Sequence, residues 1–203
     1  MSPAENIRRD EAQERASFIT VEDYDVALDL SRQDEGTTTF GSRTTIRFSA
    51  EGDAVALAAG TWVDFIVQSL HRATLNGEDL SPEDLYDGAR LQLPHLQEQN
   101  TLTVEGDALY SSTGEGLHRF TDPVDGEVYL YSQFEVPDSR RVFAVFEQPD
   151  LKAPFRFSVT APEHWRVISN SPTPAPSPAG EGLSRWDFSP TPVLSSYVTA
   201  IIA

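Results

Sequence analysis

The amino-acid sequence predicts an all-β protein: a largely antiparallel β-sheet or sandwich preceded by a short N-terminal helix. Three observations carry that expectation. Apolar residues recur at every second position in several short runs, which is the pattern of a strand with one face on a core. Clusters of Gly, Pro, Asn and Asp punctuate those runs at short intervals. Strong helix formers without a strand-like period are confined to the first residues of the chain.

Residues 4–16 are rich in Glu, Arg, Ala and Gln and predict a short solvated helix within an arm spanning 1–18. From Val21 the period is two, with Tyr24, Val26, Leu28 and Leu30 alternating with Asp25, Ala27 and Asp29. The Gln33-Asp34-Glu35-Gly36 cluster turns the chain, and Thr37 to Phe48 returns as a second strand. Val55, Leu57 and Ala59 suggest a third strand and Trp62 to Leu70 a fourth. Asn76-Gly77 is a hairpin signal, since both residues tolerate the positive φ of a tight turn. Ser81-Pro82-Glu83-Asp84 opens a single helical turn, after which Leu91-Gln92-Leu93, and then Leu102 with Val104, mark strands. Residues 105–126, with Gly106, Gly114, Gly116, Pro123 and Gly126, read as loop.

Further on, Phe155, Phe157 and Val159 alternate with Arg156 and Ser158, and Trp165 to Ile168 forms another strand. The Pro-rich stretch 171–182 cannot sit in the middle of a sheet and reads as an exposed loop. Trp186 and Phe188 restart a strand, and the apolar run Tyr197 to Ala203 reads as the interior of a longer protein.

At 203 residues one core of good size is possible. The net charge of −17 leaves no basic patch to neutralise phosphates, which argues against nucleic acid and against anionic membranes. There is no cysteine, hence no disulfide and no thiolate metal site. The N-terminus lacks the apolar core of a signal peptide and no apolar run approaches the roughly 20 residues of a membrane helix, so the cytoplasm is the expected location.

The most specific stretch is Glu127 to Asp150. As a strand it puts Tyr129, Tyr131, Gln133 and Glu135 on one face and Val128, Leu130, Ser132 and Phe134 on the other. A carboxylate and an amide two residues apart can reach the same small ligand group. A Pro137-Asp138-Ser139 turn follows, then Arg140-Arg141 and an apolar run from Val142 to Phe146. Gln133-Phe134-Glu135, the paired arginines, Phe143-Ala144-Val145-Phe146 and Gln148-Pro149-Asp150-Leu151-Lys152-Ala153 together resemble the N-terminal domain of the M1 family of zinc aminopeptidases. The likeness is greatest to its bacterial aminopeptidase N branch. It extends through Thr113 to Phe120 and Phe155 to Asn170, and in weaker form over the whole chain, 1–203. The sequence departs from the commoner wording at Ala144, Val145 and Glu147, where Pro, Cys or Ser, and Asp are frequent; these are expected to pack or turn.

The resemblance implies a saddle-like, largely antiparallel β domain that forms one wall of a peptidase active site. It implies that Glu135 binds the free α-ammonium of a peptide substrate and that Gln133 lines the pocket for its first side chain. It also implies that zinc and the catalytic residues belong to a following domain absent from this chain, which is then the domain's partner. No H-E-x-x-H occurs here, and no two of His71, His95, His118 and His164 are spaced as ligands on one helix. Alternatives from the residues alone are that Glu135 pairs with Arg140 or Arg141 beside its own turn, or works as a carboxylate pair with Glu127 or Glu147. A Ser-His-Asp set has no nucleophile-elbow motif to support it. A different class of function is a β-sandwich module binding protein or carbohydrate through an exposed edge or loop. Tyr129 and Tyr131 could line a pocket, but aromatic residues on strands commonly serve packing.

Overall fold

A computed structural model describes residues 6–32 and 36–203. The expected turn at Gln33, Asp34 and Glu35, and the first residues of the expected helix, lie outside the described residues. The chain runs through α1 (Arg9–Phe18), β1 (Ile19–Asp29), β2 (Thr39–Ala50), α2 (Ala54–Ala59), β3 (Thr61–Asp64), β4 (Ser69–Leu75), β5 (Glu78–Asp79), α3 (Pro82–Leu85), β6 (Arg90–Leu93) and β7 (Gln99–Leu109). It continues through β8 (Gly116–Thr121), β9 (Val128–Gln133), β10 (Phe155–Pro162), β11 (Ile168–Ser169), β12 (Ser177–Gly180), β13 (Leu183–Asp187) and β14 (Ile201–Ile202), with 3-10 turns at Ser139–Arg141 and Ser196–Val198. The protein is all-β, as its period-two runs predict.

An eight-stranded sheet has the order β12-β13-β10-β1-β2-β7-β4-β5, a four-stranded sheet the order β11-β14-β9-β8, and β3 pairs with β6. Among the described residues the named strands pair antiparallel except β1 with β10. The inner face of the large sheet presents Tyr24, Val26, Leu28, Phe40, Ile46, Phe48, Leu102, Val104, Phe155 and Phe157, all buried. Against them lies the irregular segment 142–146, whose five apolar side chains are fully buried. A buried non-strand segment must find acceptors for its N–H groups elsewhere. Ala144 N donates to Thr44 Oγ1 at 3.2 Å, Phe146 N to Tyr24 Oη at 3.2 Å, and Val145 N to the Asp64 carbonyl at 3.0 Å.

Several expectations are corrected. Val55, Leu57 and Ala59 lie on helix α2, because Asp53 caps it by accepting from Val55 N and Ala56 N, and the alanine-rich run favours helix. Gly60 ends it with φ 74°, in a place where a Cβ would clash with the Leu93 carbonyl oxygen. Trp62 to Leu70 divides into the end of β3 and the start of β4. Residues 105–126 hold the end of β7 and all of β8, their glycines being accommodated within or beside strands. Part of 171–182 pairs after all, as β12, but at the sheet edge, where Pro178 withholds no needed donor. Of the strand expected at Trp165 to Ile168 only Ile168 is strand, in β11.

Other elements match: Asn76 and Gly77 turn the β4–β5 hairpin with φ 55° and 86°, and α3 follows Ser81. Helix α1 is exposed along most of its length, yet Arg15 is buried, so it is a docked rather than a freely solvated helix.

Candidate functional site

Gln133 and Glu135 come to the surface where β9 gives way to a turn. Along β9 Leu130 faces the core while Tyr129, Tyr131 and Gln133 are exposed. Phe134 then inserts inward, its ring 5.7 Å from that of Phe143 and edge-on to it. That insertion leaves its neighbour Glu135 turned outward and exposed. The chain passes through a cis Val136–Pro137 bond and re-enters the core at Ser139, which is fully buried.

Beneath the turn lies a buried carboxylate. Glu147 is 2% exposed; Ser139 Oγ donates to it at 2.6–2.7 Å, Arg140 N at 2.8 Å and Ser196 Oγ at 3.0 Å. Burial pushes its pKa up, and those three donors oppose the shift. A second buried carboxylate, Asp64, is ringed by guanidinium groups: Arg90 at 3.7 Å, Arg140 at 3.7 Å and Arg15 at 3.9 Å. Burial pushes Asp64 up to about 6 against the pull of those cations. Asp64 Oδ2 also accepts from Glu147 N at 3.4 Å, which joins the two clusters.

Arg15 completes this base from the far end of the sequence. Its Nε donates to Gln148 Oε1 at 2.9 Å, and its guanidinium lies 4.7 Å from the Trp62 ring. Gln148 in turn donates through Nε2 to the Ala12 carbonyl of α1.

The paired arginines meet different carboxylates. Arg141 Nε donates to Asp138 at 2.6 Å and its guanidinium reaches Glu115 at 3.6 Å. Arg140 turns inward, its guanidinium toward Asp64 and its backbone N–H to Glu147. Among the described residues neither arginine side chain makes an ion pair with Glu135, and Glu135 has no side-chain hydrogen bond. Glu147 is sealed in the core, so it is no partner in surface carboxylate-pair chemistry with Glu135.

Tyr131 and Tyr129 lie beside Gln133 and pack across the strands: Tyr131 on His118 with ring centroids 4.8 Å apart, Tyr129 on Phe120 at 5.5 Å. The register sets Ile168, Ile202, Tyr131 and His118 side by side across the small sheet. Ile168, Ile202, Tyr131, Tyr129 and Phe120 are all substantially exposed there.

No three His, Cys, Asp or Glu side chains among the described residues are grouped to hold a metal ion. His71 faces Asp107 at 3.0 Å and His118 Nδ1 accepts from Gly114 N. A groove of about 400 Å³ on the outer face of the large sheet, lined by Arg32, Arg43, His71, Glu105 and Asp107 among others, is remote in sequence from Gln133 and Glu135. Among the described residues no helix is long and apolar enough to cross a membrane.

Sequence reasoning missed Asp64, Arg15, Ser139 and Ser196, and took Glu147 for a residue that packs or turns. One signal was available: Asp64 is a lone carboxylate inside the apolar run Trp62 to Ile66, and Glu147 directly ends the apolar run Val142 to Phe146. Such charges are buried only with partners.

Comparison with known proteins places residues 20–198 in a match to the model of the peptidase M1 N-terminal domain. The chain is 50% identical over 202 residues, 98% of its length, to an aminopeptidase N of Streptomyces lividans, of which it covers 22%. It is 36% identical over 104 residues, half of its length, to an aminopeptidase N of Acetobacter pasteurianus, of which it covers 29%. With the aminopeptidase N of Bos taurus the identity is 26% over 191 residues, 85% of this chain and 20% of that protein. The chain thus spans between a fifth and a third of the length of these relatives.

Proposed function

Because the chain belongs to the peptidase M1 N-terminal domain family, we propose that it is the substrate-anchoring domain of a zinc aminopeptidase, with Glu135 as the group that binds a peptide's free α-ammonium. Gln133, on the same exposed side, lines the pocket for the first side chain. The catalytic metal and its ligands belong to a partner domain of the same protein, and this chain alone is inactive. The exposed apolar row Ile168, Ile202 and Tyr131 supports a docking role for the small sheet toward that domain. A cytoplasmic location is part of the same proposal.

The single observation that carries the reading is an exposed carboxylate with no partner among the described residues, standing on a turn anchored from beneath by hydrogen bonds to the buried Glu147. Both arginines that compete for it in sequence are engaged elsewhere. An aminopeptidase has to tell a chain end from a chain middle, and only a chain end supplies the cation. A charge-assisted hydrogen bond to a carboxylate at a fixed place discriminates between them and positions the scissile carbonyl.

The test is kinetic, on the full-length protein carrying Glu135→Ala or Glu135→Gln. An unblocked aminoacyl substrate is compared with its N-acetylated analogue. The expected result is a loss of about 100-fold or more in kcat/KM confined to the free-amine substrate, since one charged contact is worth several kcal/mol. An unchanged ratio between the two substrates would remove Glu135 from this role and leave the domain as scaffold.

A further inference from the structure

The stretch that carries Glu135 is strung between two buried anchors, Phe134 before it and Ser139 after it. The first is held by ring contact with Phe143 and the second by the carboxylate of Glu147. Glu147 also receives Ser196 Oγ, from the 3-10 turn that leads into β14. Strand β14 in turn lies against β9: Ile202 pairs with Tyr131, Ala203 exchanges backbone hydrogen bonds with Leu130, and Ile201 N donates to Ser132 Oγ. One buried side chain therefore ties the turn after Glu135 to the strand flanking Gln133.

A carboxylate is an expensive choice for this place. An apolar residue of similar size would fill the volume without desolvating a charge. What an apolar residue cannot do is accept three hydrogen bonds from fixed directions, one of them from a backbone N–H. The site keeps the one group type that locks Ser139, Arg140 and Ser196 at once.

We propose that Glu147 is a positioning residue for substrate recognition, fixing where the Glu135 carboxylate stands by clamping its turn to the segment 195–199. This rests on the reading of Glu135 as the amine anchor. A displacement of about 1 Å at an anchoring group costs up to about 100-fold in rate, which makes a buried clamp of this kind consequential.

The experiment uses the full-length protein and the same two substrates, free-amine and N-acetylated. Glu147→Gln keeps the shape and removes the charge; it is expected to lower the free-amine preference about tenfold, mainly through KM, with the blocked substrate little affected. Ser196→Ala and Ser139→Ala each remove one donor and are expected to shift the preference in the same direction by less. Combined with Glu135→Ala, Glu147→Gln is expected to cause no further loss, because it acts only through Glu135. Additive losses in the double variant would overturn the proposal, as would an undisturbed preference in Glu147→Gln while Glu135→Ala abolishes it. If Glu135→Ala itself leaves the preference intact, the anchor reading fails first and the clamp falls with it. Should Glu147→Gln not fold, the two serine variants decide by the same criteria.

Discussion

Charge is plentiful both in the groove on the outer face of the eight-stranded sheet and at the turn after β9, but the two regions arrange it in opposite ways. In the groove the charges around Asp107 and Glu105 meet one another. Arg32 and His71 both reach Asp107, at 2.7 and 3.0 Å, and Arg43 meets Glu105 at 2.9 Å. Those hydrogen bonds hold Asp107 below its ordinary range in spite of its partial burial. At the turn Arg141 pairs with Asp138 and Glu115 at the surface and Asp64 and Glu147 are bonded and buried beneath, while Glu135 stands exposed without a partner among the described residues. A surface whose charges satisfy one another has little left for a ligand. An isolated carboxylate over a rigid, costly base has a use only if something else brings the cation.

Removing the base gives the largest expected structural effect. Asp64→Ala leaves Arg15 and Arg140, both buried, without their shared counter-charge. Breaking a buried ion pair from one side costs about 3–5 kcal/mol. The loss is measured as a drop in the free energy of unfolding by urea, with the slope of the transition unchanged. A cost under about 1 kcal/mol would show that water replaces the carboxylate, and would erase the contrast between the two regions.

The pH dependence sharpens the same contrast. Burial pushes Asp64 up to about 6 from an ordinary 3.8, so between those values the folded chain holds a proton that the unfolded chain has released. The stability contributed at Asp64 is therefore greatest below about pH 4 and declines as pH rises to 6, the reverse of an exposed paired carboxylate. Glu147, also pushed up by burial, slopes the same way. Compared with Asp64→Asn, which cannot titrate there, the unmodified chain is expected to lose on the order of 2 kcal/mol of relative stability from pH 4 to pH 7. A difference that grows with pH would mean the three arginines outweigh burial.

These clusters also mark the limit of what could be read from sequence. Strands with one wet face declare themselves by alternation, and Tyr24 to Leu30 or Phe155 to Val159 lie where their period puts them. Val55 to Ala59 alternates equally well but follows Asp53, whose capping bonds decide for helix. Gln133 and Glu135 could be singled out as candidates because they sit in one short ordered stretch. Their support was not, since Arg15, Asp64, Glu147 and Ser196 are far apart in the chain and meet only after the sheets have formed. A period says which face is buried; it carries no information about which buried charges find each other.

The smallest expected effect is in the groove. Arg43 and Glu105 pair across β2 and β7 with side chains 61% and 40% exposed. Exposed pairs of this kind are worth at most about 1 kcal/mol and weaken further in salt. Arg43→Ala and Glu105→Ala are each expected to change the free energy of unfolding by less than that. In a double-mutant cycle their coupling is expected to vanish at high ionic strength. Neither is expected to alter the free-amine preference proposed for the full-length protein. If either does, the groove takes part in the proposed recognition, and a surface of mutually paired charges is not inert after all.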